Sequence, residues 1–209
     1  MDRKDLLKKG LGELGYQPDQ DKLHAFITYL AELKKWNRTY NLTGLKTDED
    51  IIIKHFLDSV LYNKVIDDRE ITLADIGSGA GFPGIPMKIM SPEIELFLIE
   101  PSGKKSAFLR HIISELQMMK VQVIEKRVED LCKDKALTVD IGVTRALFSI
   151  QEFTKKASGI IKTGGRLIMS KGPKVEDELK SLKNIHHKMV PLPLPLSDMK
   201  RYMVIVHLK

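Results

Sequence analysis

From residue 71 onward, short apolar runs alternate with polar or amphipathic stretches. Ile71–Ile76, Ile94–Ile99, Val121–Ile124, Val139–Val143, Leu167–Lys171 and Tyr202–Leu208 are brief and rich in aliphatic and β-branched residues, the pattern of strands buried on both faces. Between the second and third runs, Phe108, Leu109, Ile112, Ile113 and Leu116 recur at helical spacing and predict a helix over Gly103–Met118. A shorter helix is expected near Val175–Leu182. Strand and helix in alternation predict an α/β fold, a doubly wound and mostly parallel sheet, with an antiparallel C-terminal strand added at the end. The alternating prolines around Leu192–Leu196 cannot donate to a central ladder, so that stretch reads as a loop or an edge strand.

Residues 1–70 lack strand alternation. Leu23, Phe26, Ile27, Leu30, Leu33 and Trp36 form one stripe of a helix expected over Asp19–Trp36, in which Trp36 reads as core rather than as a base-stacking platform. Turn formers follow in Asn37–Gly44, and Thr47 with Asp48, Glu49 and Asp50 starts another helix by capping and dipole. Ile51, Ile52, His55, Phe56, Val60 and Leu61 face inward from it. Residues 1–70 are therefore expected to form a helical extension packed on a domain of residues 71–209, with no flexible linker between them. His55 and Asp58 share a face, which favours a structural tie to a neighbour and leaves a substrate-side role open.

The first run ends on Asp75 and feeds Gly77, Gly79, Gly81 and Gly84, a strand passing through a tight turn into a helix whose N-terminus accepts Pro83 and Pro86. The second run delivers Glu100, which lies 23 positions after Gly77, near the ~20-residue offset of a carboxylate that grips a ribose diol. Two parses compete. Gly79-Ala-Gly81-Phe-Pro-Gly84 satisfies the dinucleotide pattern G-x-G-x-x-G, but Gly79 follows the strand too late. Asp75-Ile-Gly77-Ser-Gly79-Ala-Gly81 has the acid-x-G-x-G-x-G form of S-adenosylmethionine sites, and an acid there would attract a sulfonium and repel a diphosphate. The methyltransferase parse is the stronger; a nicotinamide oxidoreductase and a turn without ligand are the alternatives.

Net charge +6 over 209 residues and a pI near 9.2 favour a polyanionic partner. Lys104, Lys105, Arg110, Lys126, Arg127, Arg145, Lys155, Lys156, Lys171 and Lys174 all follow the second strand, many at element ends, although solvation of helix faces accounts for about half of them. Arg145 comes directly after an apolar strand and is expected in the cleft near the sheet's switch point; Lys171 ends the fifth strand, on the ligand rim or simply exposed. Glu129 or Asp130 suits an adenine amino group or a plain helix cap, with the N–H of Val128 or Glu129 available to ring nitrogens. Cys132 reads as a structural thiol in a reducing compartment, and no metal site is expected, His186-His187 lacking partners at ligand spacing. No apolar run is long enough for a membrane span and no export signal opens the chain, so a cytoplasmic protein without a membrane partner is expected.

Several motifs together resemble one family, the bacterial 16S rRNA guanine-N7 methyltransferases of the RsmG (glucose-inhibited division protein B) type. They are Asn41-Leu-Thr43, Lys54-His-Phe-Leu-Asp58-Ser59, Asp75-Ile-Gly-Ser-Gly-Ala-Gly-Phe-Pro-Gly-Ile-Pro86, Arg127-Val-Glu129, Thr144-Arg-Ala146 and Lys171-Gly172, in order along nearly the whole chain. The second strand departs from the family in ending on Glu100-Pro-Ser102, where an Asp is frequent; either acid can hold a ribose. The resemblance implies a Rossmann-like class I methyltransferase fold and transfer of a methyl group from S-adenosylmethionine to N7 of one guanine in 16S rRNA; the partner is expected to be that rRNA or the small-subunit ribonucleoprotein, and the protein a monomer. It carries over cofactor contacts to Gly77, Phe82, Val128, Glu129 and Arg145. The loop reading adds Asp75, Gly79, Gly81, Glu100 and Ser102 as cofactor-binding residues, with Arg145 and Lys171 as the catalytic pair, holding a base oxygen or a phosphate. A non-catalytic RNA-binding or assembly factor is the remaining alternative from another class.

Overall fold

The computed structural model describes residues 2–66, 70–145, 147–180, 182 and 185–208. Ala146, the last residue of the Thr144-Arg-Ala motif, and Ser181, inside the helix expected over 175–182, lie outside them.

Seven strands form one sheet: β1 (Thr72–Ile76), β2 (Glu95–Ile99), β3 (Val121–Ile124), β4 (Val139–Arg145), β5 (Ile161–Lys171), β6 (His187–Pro193) and β7 (Lys200–His207). Their spatial order is β3-β2-β1-β4-β5-β7-β6. The first five are parallel, and β7 runs antiparallel to both β5 and β6. The chain lays β2 and β3 on one side of β1 and then crosses to β4 on the other, so the crevice at the switch point opens beyond the carboxyl ends of β1 and β4. This is the doubly wound sheet expected, with two differences. β5 begins at Ile161 rather than near Leu167, carried through Gly164 at a φ of 77°; the proline-rich stretch divides, Leu192 and Pro193 closing the edge strand β6 and residues 194–196 forming the turn after it.

Successive strand residues face opposite layers. Leu73, Leu98, Ile141, Val143, Ile168 and Met203 join the apolar cluster under the N-terminal helices, whereas Ala74, Ile76, Ile99, Leu167, Met169 and Val204 join that under the helices α7 (Val128–Asp134), α8 (Ile150–Ala157) and α9 (Val175–Lys180). The N-terminal layer comprises α1 (Arg3–Glu13), α2 (Gln20–Tyr40), α3 (Asp48–Ile51) and a continuation that is π-helical over Ile52–Leu57 before α4 (Asp58–Val60). Asp19 caps α2 through the N–H of Lys22 at 2.7 Å, and Asn41 ends it in the left-handed conformation, φ 50°. Thr47 caps α3 through Asp50 N–H at 3.1 Å. Between β1 and β2 lies α5 (Gly84–Met90), and α6 (Gly103–Glu115) follows β2.

Phe56, fully buried, sits 5.2 Å from the rings of both Phe26 and Tyr29 and 6.0 Å from Phe82 in the glycine loop. The extension and the sheet thus share one core, and truncating Phe56 loosens both together. Phe56→Ala should lose ~3–5 kcal/mol and still unfold in a single urea transition; two separated transitions would show that the layers are independent.

Candidate active site

The loop after β1 is shaped by its own hydrogen bonds. Gly77 and Ser78 donate to Ile99 O at 2.8 and 3.2 Å, Gly79 N–H donates to Glu100 Oε2 at 2.9 Å, and Gly81 N–H and Phe82 N–H return to Ser78 O at 2.7 and 2.9 Å. Gly84 N–H, at the start of α5, donates to Asp75 Oδ2 at 2.8 Å. Gly77, at a φ of 74°, lies under the exposed side chain of Leu147, which a Cβ at 77 would strike. A loop built for a diphosphate leaves its N–H groups aimed at the ligand. These six are committed to protein acceptors, and the helix that would receive the phosphate starts on a carboxylate. The dinucleotide parse therefore lacks its donors.

Two acids remain to meet a ligand. Glu100 is 5% exposed, and its Oε1 accepts from Ser102 N–H at 2.9 Å while Oε2 takes Gly79, so the carboxylate is clamped across the ends of β1 and β2 with lone pairs left over. Asp75 is completely buried, and its Oδ1 has no partner. Burial raises its pKa to about 7, against the opposing pull of Gly84 N–H and the Arg145 charge, with Glu100 adding to the rise. An orphaned carboxylate oxygen beside a clamped carboxylate fits a cationic nucleoside better than an anionic one.

Phe82 turns away from the loop into the extension: it stacks on His55 at 4.4 Å and Tyr29 at 5.4 Å, with the Arg145 guanidinium 5.3 Å from its ring centre. Tyr29 also donates its hydroxyl to Ala80 O. Arg145 donates to Lys54 O at 2.7 Å and His55 Nδ1 at 2.7 Å, and pairs with Asp58 at 3.4 Å. Since a guanidinium has no acceptor, His55 Nδ1 must be the unprotonated nitrogen, and Nε2–H then faces Thr43 Oγ1 at 2.7 Å. Burial and the Arg145 charge hold the His55 pKa down at about 3, so the ring is neutral at physiological pH.

Asp58 also receives Arg201 of β7 in a forked pair, Nε to Oδ1 at 2.9 Å and NH2 to Oδ2 at 3.1 Å. A hollow of about 400 Å3 opens against Lys54, His55, Asp58, Arg145, Lys171 and Arg201. Lys171 is held within its wall, donating to Phe148 O at 2.7 Å and pairing with Glu178 at 3.1 Å. Glu129 pairs with Lys156, which keeps its carboxyl below the usual range. Val128 is buried in the cluster that holds Ile76 and Ile99. Asp75, Gly77, Gly79, Gly81, Glu100 and Ser102 thus converge at the ends of β1 and β2, with Val128 and Glu129 beyond β3, while the Phe82 ring turns from the loop toward His55 and Arg145. Arg145 and Lys171 instead meet in the hollow on the extension side. Arg201 escaped sequence reasoning because a charged residue in an edge-proximal strand has no local signature. The His55-Asp58 pair does tie helix to neighbour, and the neighbour is Arg145.

The sheet order, the crevice and the glycine loop define a Rossmann-like class I methyltransferase. Solved structures agree on the fold: an S-adenosylmethionine-dependent methyltransferase from Aquifex aeolicus matches with a TM-score of 0.56 at 16% identity, over 77% of this chain and 93% of its own, and a ribosomal protein L11 methylase from Lactobacillus delbrueckii with 0.54 at 15%, over 73% and 77%. The family described as rRNA small subunit methyltransferase G matches residues 22–199. Ribosomal RNA small subunit methyltransferase G of Acetivibrio thermocellus is 34% identical, over 99% of this chain and 90% of its own, and that of Geotalea uraniireducens 36%, over 97% and 95%. The chain belongs to this methyltransferase family.

Asp75 gives the site a stability signature. Its folded pKa lies above the unfolded value of 3.8, so the folded state holds more protons in that window; stability is greatest below 3.8 and falls as pH rises through about 7, by on the order of a few kcal/mol. Urea titrations of the ligand-free protein at pH 4.5 and 7.5 should show this loss in the wild type and a smaller one in Asp75→Asn. Equal losses in both would place the titrating group elsewhere.

Proposed function

We propose that this crevice holds S-adenosylmethionine and that the chain, a monomer working in the cytoplasm, methylates N7 of a guanine in the 16S rRNA of the small ribosomal subunit. The observation that carries the cofactor reading is the pair of acids: Glu100, clamped by Gly79 and Ser102 N–H, to accept from the ribose hydroxyls, and Asp75, with an unpartnered buried oxygen, to offset a positive centre. Gly77 and Gly81 give backbone close to the ligand, and Val128 and Glu129 lie where the adenine ring would reach past β3. S-adenosylmethionine supplies an activated methyl group on a sulfonium, and guanine N7 is a bare acceptor, so the transfer calls for no proton to be removed.

What remains for the protein is placement. Held alignment of reacting groups is worth roughly 7–11 kcal/mol where it is complete, and the hollow beside Arg145 is suited to supply it. Arg145 is fixed by Lys54 O, His55 and Asp58 and lies over Phe82, so its guanidinium offers a preset edge for a guanine O6 or a phosphate. Lys171 and Arg201 add positive charge to the same wall. N7 is hidden in the deep groove of an A-form helix, so the target guanine must be presented from a loop or splayed out of its stack.

The direct test is transfer of tritiated methyl groups to 16S rRNA taken from a strain lacking the protein, with mapping of the modified base. Incorporation at a single guanine N7 is expected; absence of incorporation into both naked rRNA and small subunits contradicts the assignment. Glu100→Ala should weaken S-adenosylmethionine binding by at least tenfold in calorimetry. Arg145→Ala should lower methyl transfer well over tenfold while cofactor affinity stays within a few-fold, and transfer within twofold of wild type in a folded variant would remove Arg145 from the cleft.

A further inference from the structure

Leu45 borders two hollows at once. One is the hollow beside Arg145; the other, about 510 Å3, is walled by Lys34, Asn37, Arg38, Asn41, Thr43 and Lys46 at the end of α2 and the turn after it, with no carboxylate in its lining. Lys34 is neutralised by Asp48. Arg38 and Lys46 stand exposed and, among the described residues, make no ion pair or hydrogen bond. The partition between the hollows is itself bonded from both sides. Asn37 Oδ1 accepts Thr43 N–H at 2.8 Å, Thr43 Oγ1 meets His55 Nε2 at 2.7 Å, and His55 Nδ1 receives Arg145. A turn pinned this way keeps the two cationic hollows at a fixed separation.

We propose that the two hollows form one RNA track: nucleotides flanking the target guanine leave the Arg145 hollow over Leu45, and their phosphates are gripped by Arg38 and Lys46 on the N-terminal extension. The proposal rests on the RNA methyltransferase reading and adds to it a second docking site, adjoining the hollow of the transfer step across Leu45. The chemistry suits a single strand or loop, whose backbone can follow a surface that turns between concavities. It also assigns the extension a task beyond packing. Solvated surface lysines and arginines would equally be exposed, but they would not gather around an acid-free hollow joined by hydrogen bonds to the cleft.

The track is tested with the double variant Arg38→Gln/Lys46→Gln, using unmodified 16S rRNA transcribed in vitro. Loss of two phosphate contacts should flatten the slope of log affinity against log KCl by about 1.4, raise KM for the rRNA at least fivefold, and leave kcat within twofold. Binding of S-adenosylhomocysteine by calorimetry should be unchanged. Arg38→Lys/Lys46→Arg, which keeps both charges, should retain the wild-type slope. An unaltered slope with KM within twofold in the Gln pair overturns the track, as does an equal loss in the charge-conserving pair. A wild-type protein that incorporates no methyl into either the transcript or unmodified small subunits overturns the methyltransferase reading and the track with it, whereas a wild type that methylates either one with a slope indifferent to residues 38 and 46 overturns the track alone.

Discussion

The clamping of Glu100 between Gly79 N–H and Ser102 N–H is the contact on which the site depends. It joins the loop after β1 to the turn after β2, and so fixes the mouth of the crevice at the point where the sheet reverses its winding. A carboxylate that accepts two backbone donors cannot swing, yet it keeps lone pairs facing outward. With its N–H groups bound to Ile99 O, Ser78 O, Glu100 and Asp75, the turn presents acidity rather than donors.

Around that mouth the extension acts as a wall. Asp58, almost wholly buried, lies between Arg145 from β4 and Arg201 from β7, and a buried acid between two guanidiniums is stable only when all three stay in place. Through Asp58, His55 and Thr43, the π-helical turn, the Asn41-Leu-Thr43 segment and two strands are held in one chain of hydrogen bonds. π-Helical turns concentrate at functional sites, and this one carries Lys54 and His55 against the hollow. Removal of either arginine would leave Asp58 under-compensated, so mutations there act on position as well as charge.

Much of this was legible in the sequence, for physical reasons that differ by element. β1, β2 and β4 are legible because strands covered on both faces must be mostly apolar, β3 because even as an edge strand it keeps three aliphatic residues of four, and α2 because only one of its faces is covered. The start of β5 is hidden in the sequence, since Thr163, Gly164 and Gly165 look like a turn; they form an irregularity between the pairs Val139–Ile161 and Ile141–Arg166, and only the pairing with β4 on either side of it makes one strand of the whole. The approach of Glu100 to the glycine loop is legible from spacing, because the distance from the end of β1 to the end of β2 is set by the length of one helix and one strand. The Asp58–Arg201 pair could not: it spans 143 residues and exists only once β7 lies antiparallel to β5. Glu129 and Lys171 were placed at the right element ends, but their ion partners Lys156 and Glu178 come from α8 and α9, which no local pattern connects to them.

The central claim is that the crevice receives an adenosyl group with Glu100 on its sugar, and a crystal structure of the protein with S-adenosylhomocysteine tests it most directly. The account predicts both ribose hydroxyls within ~3.2 Å of the Glu100 carboxylate oxygens, with the amino-acid end lying along Gly77. A nucleoside bound elsewhere, or a crevice that accepts a diphosphate while excluding this compound, would contradict it.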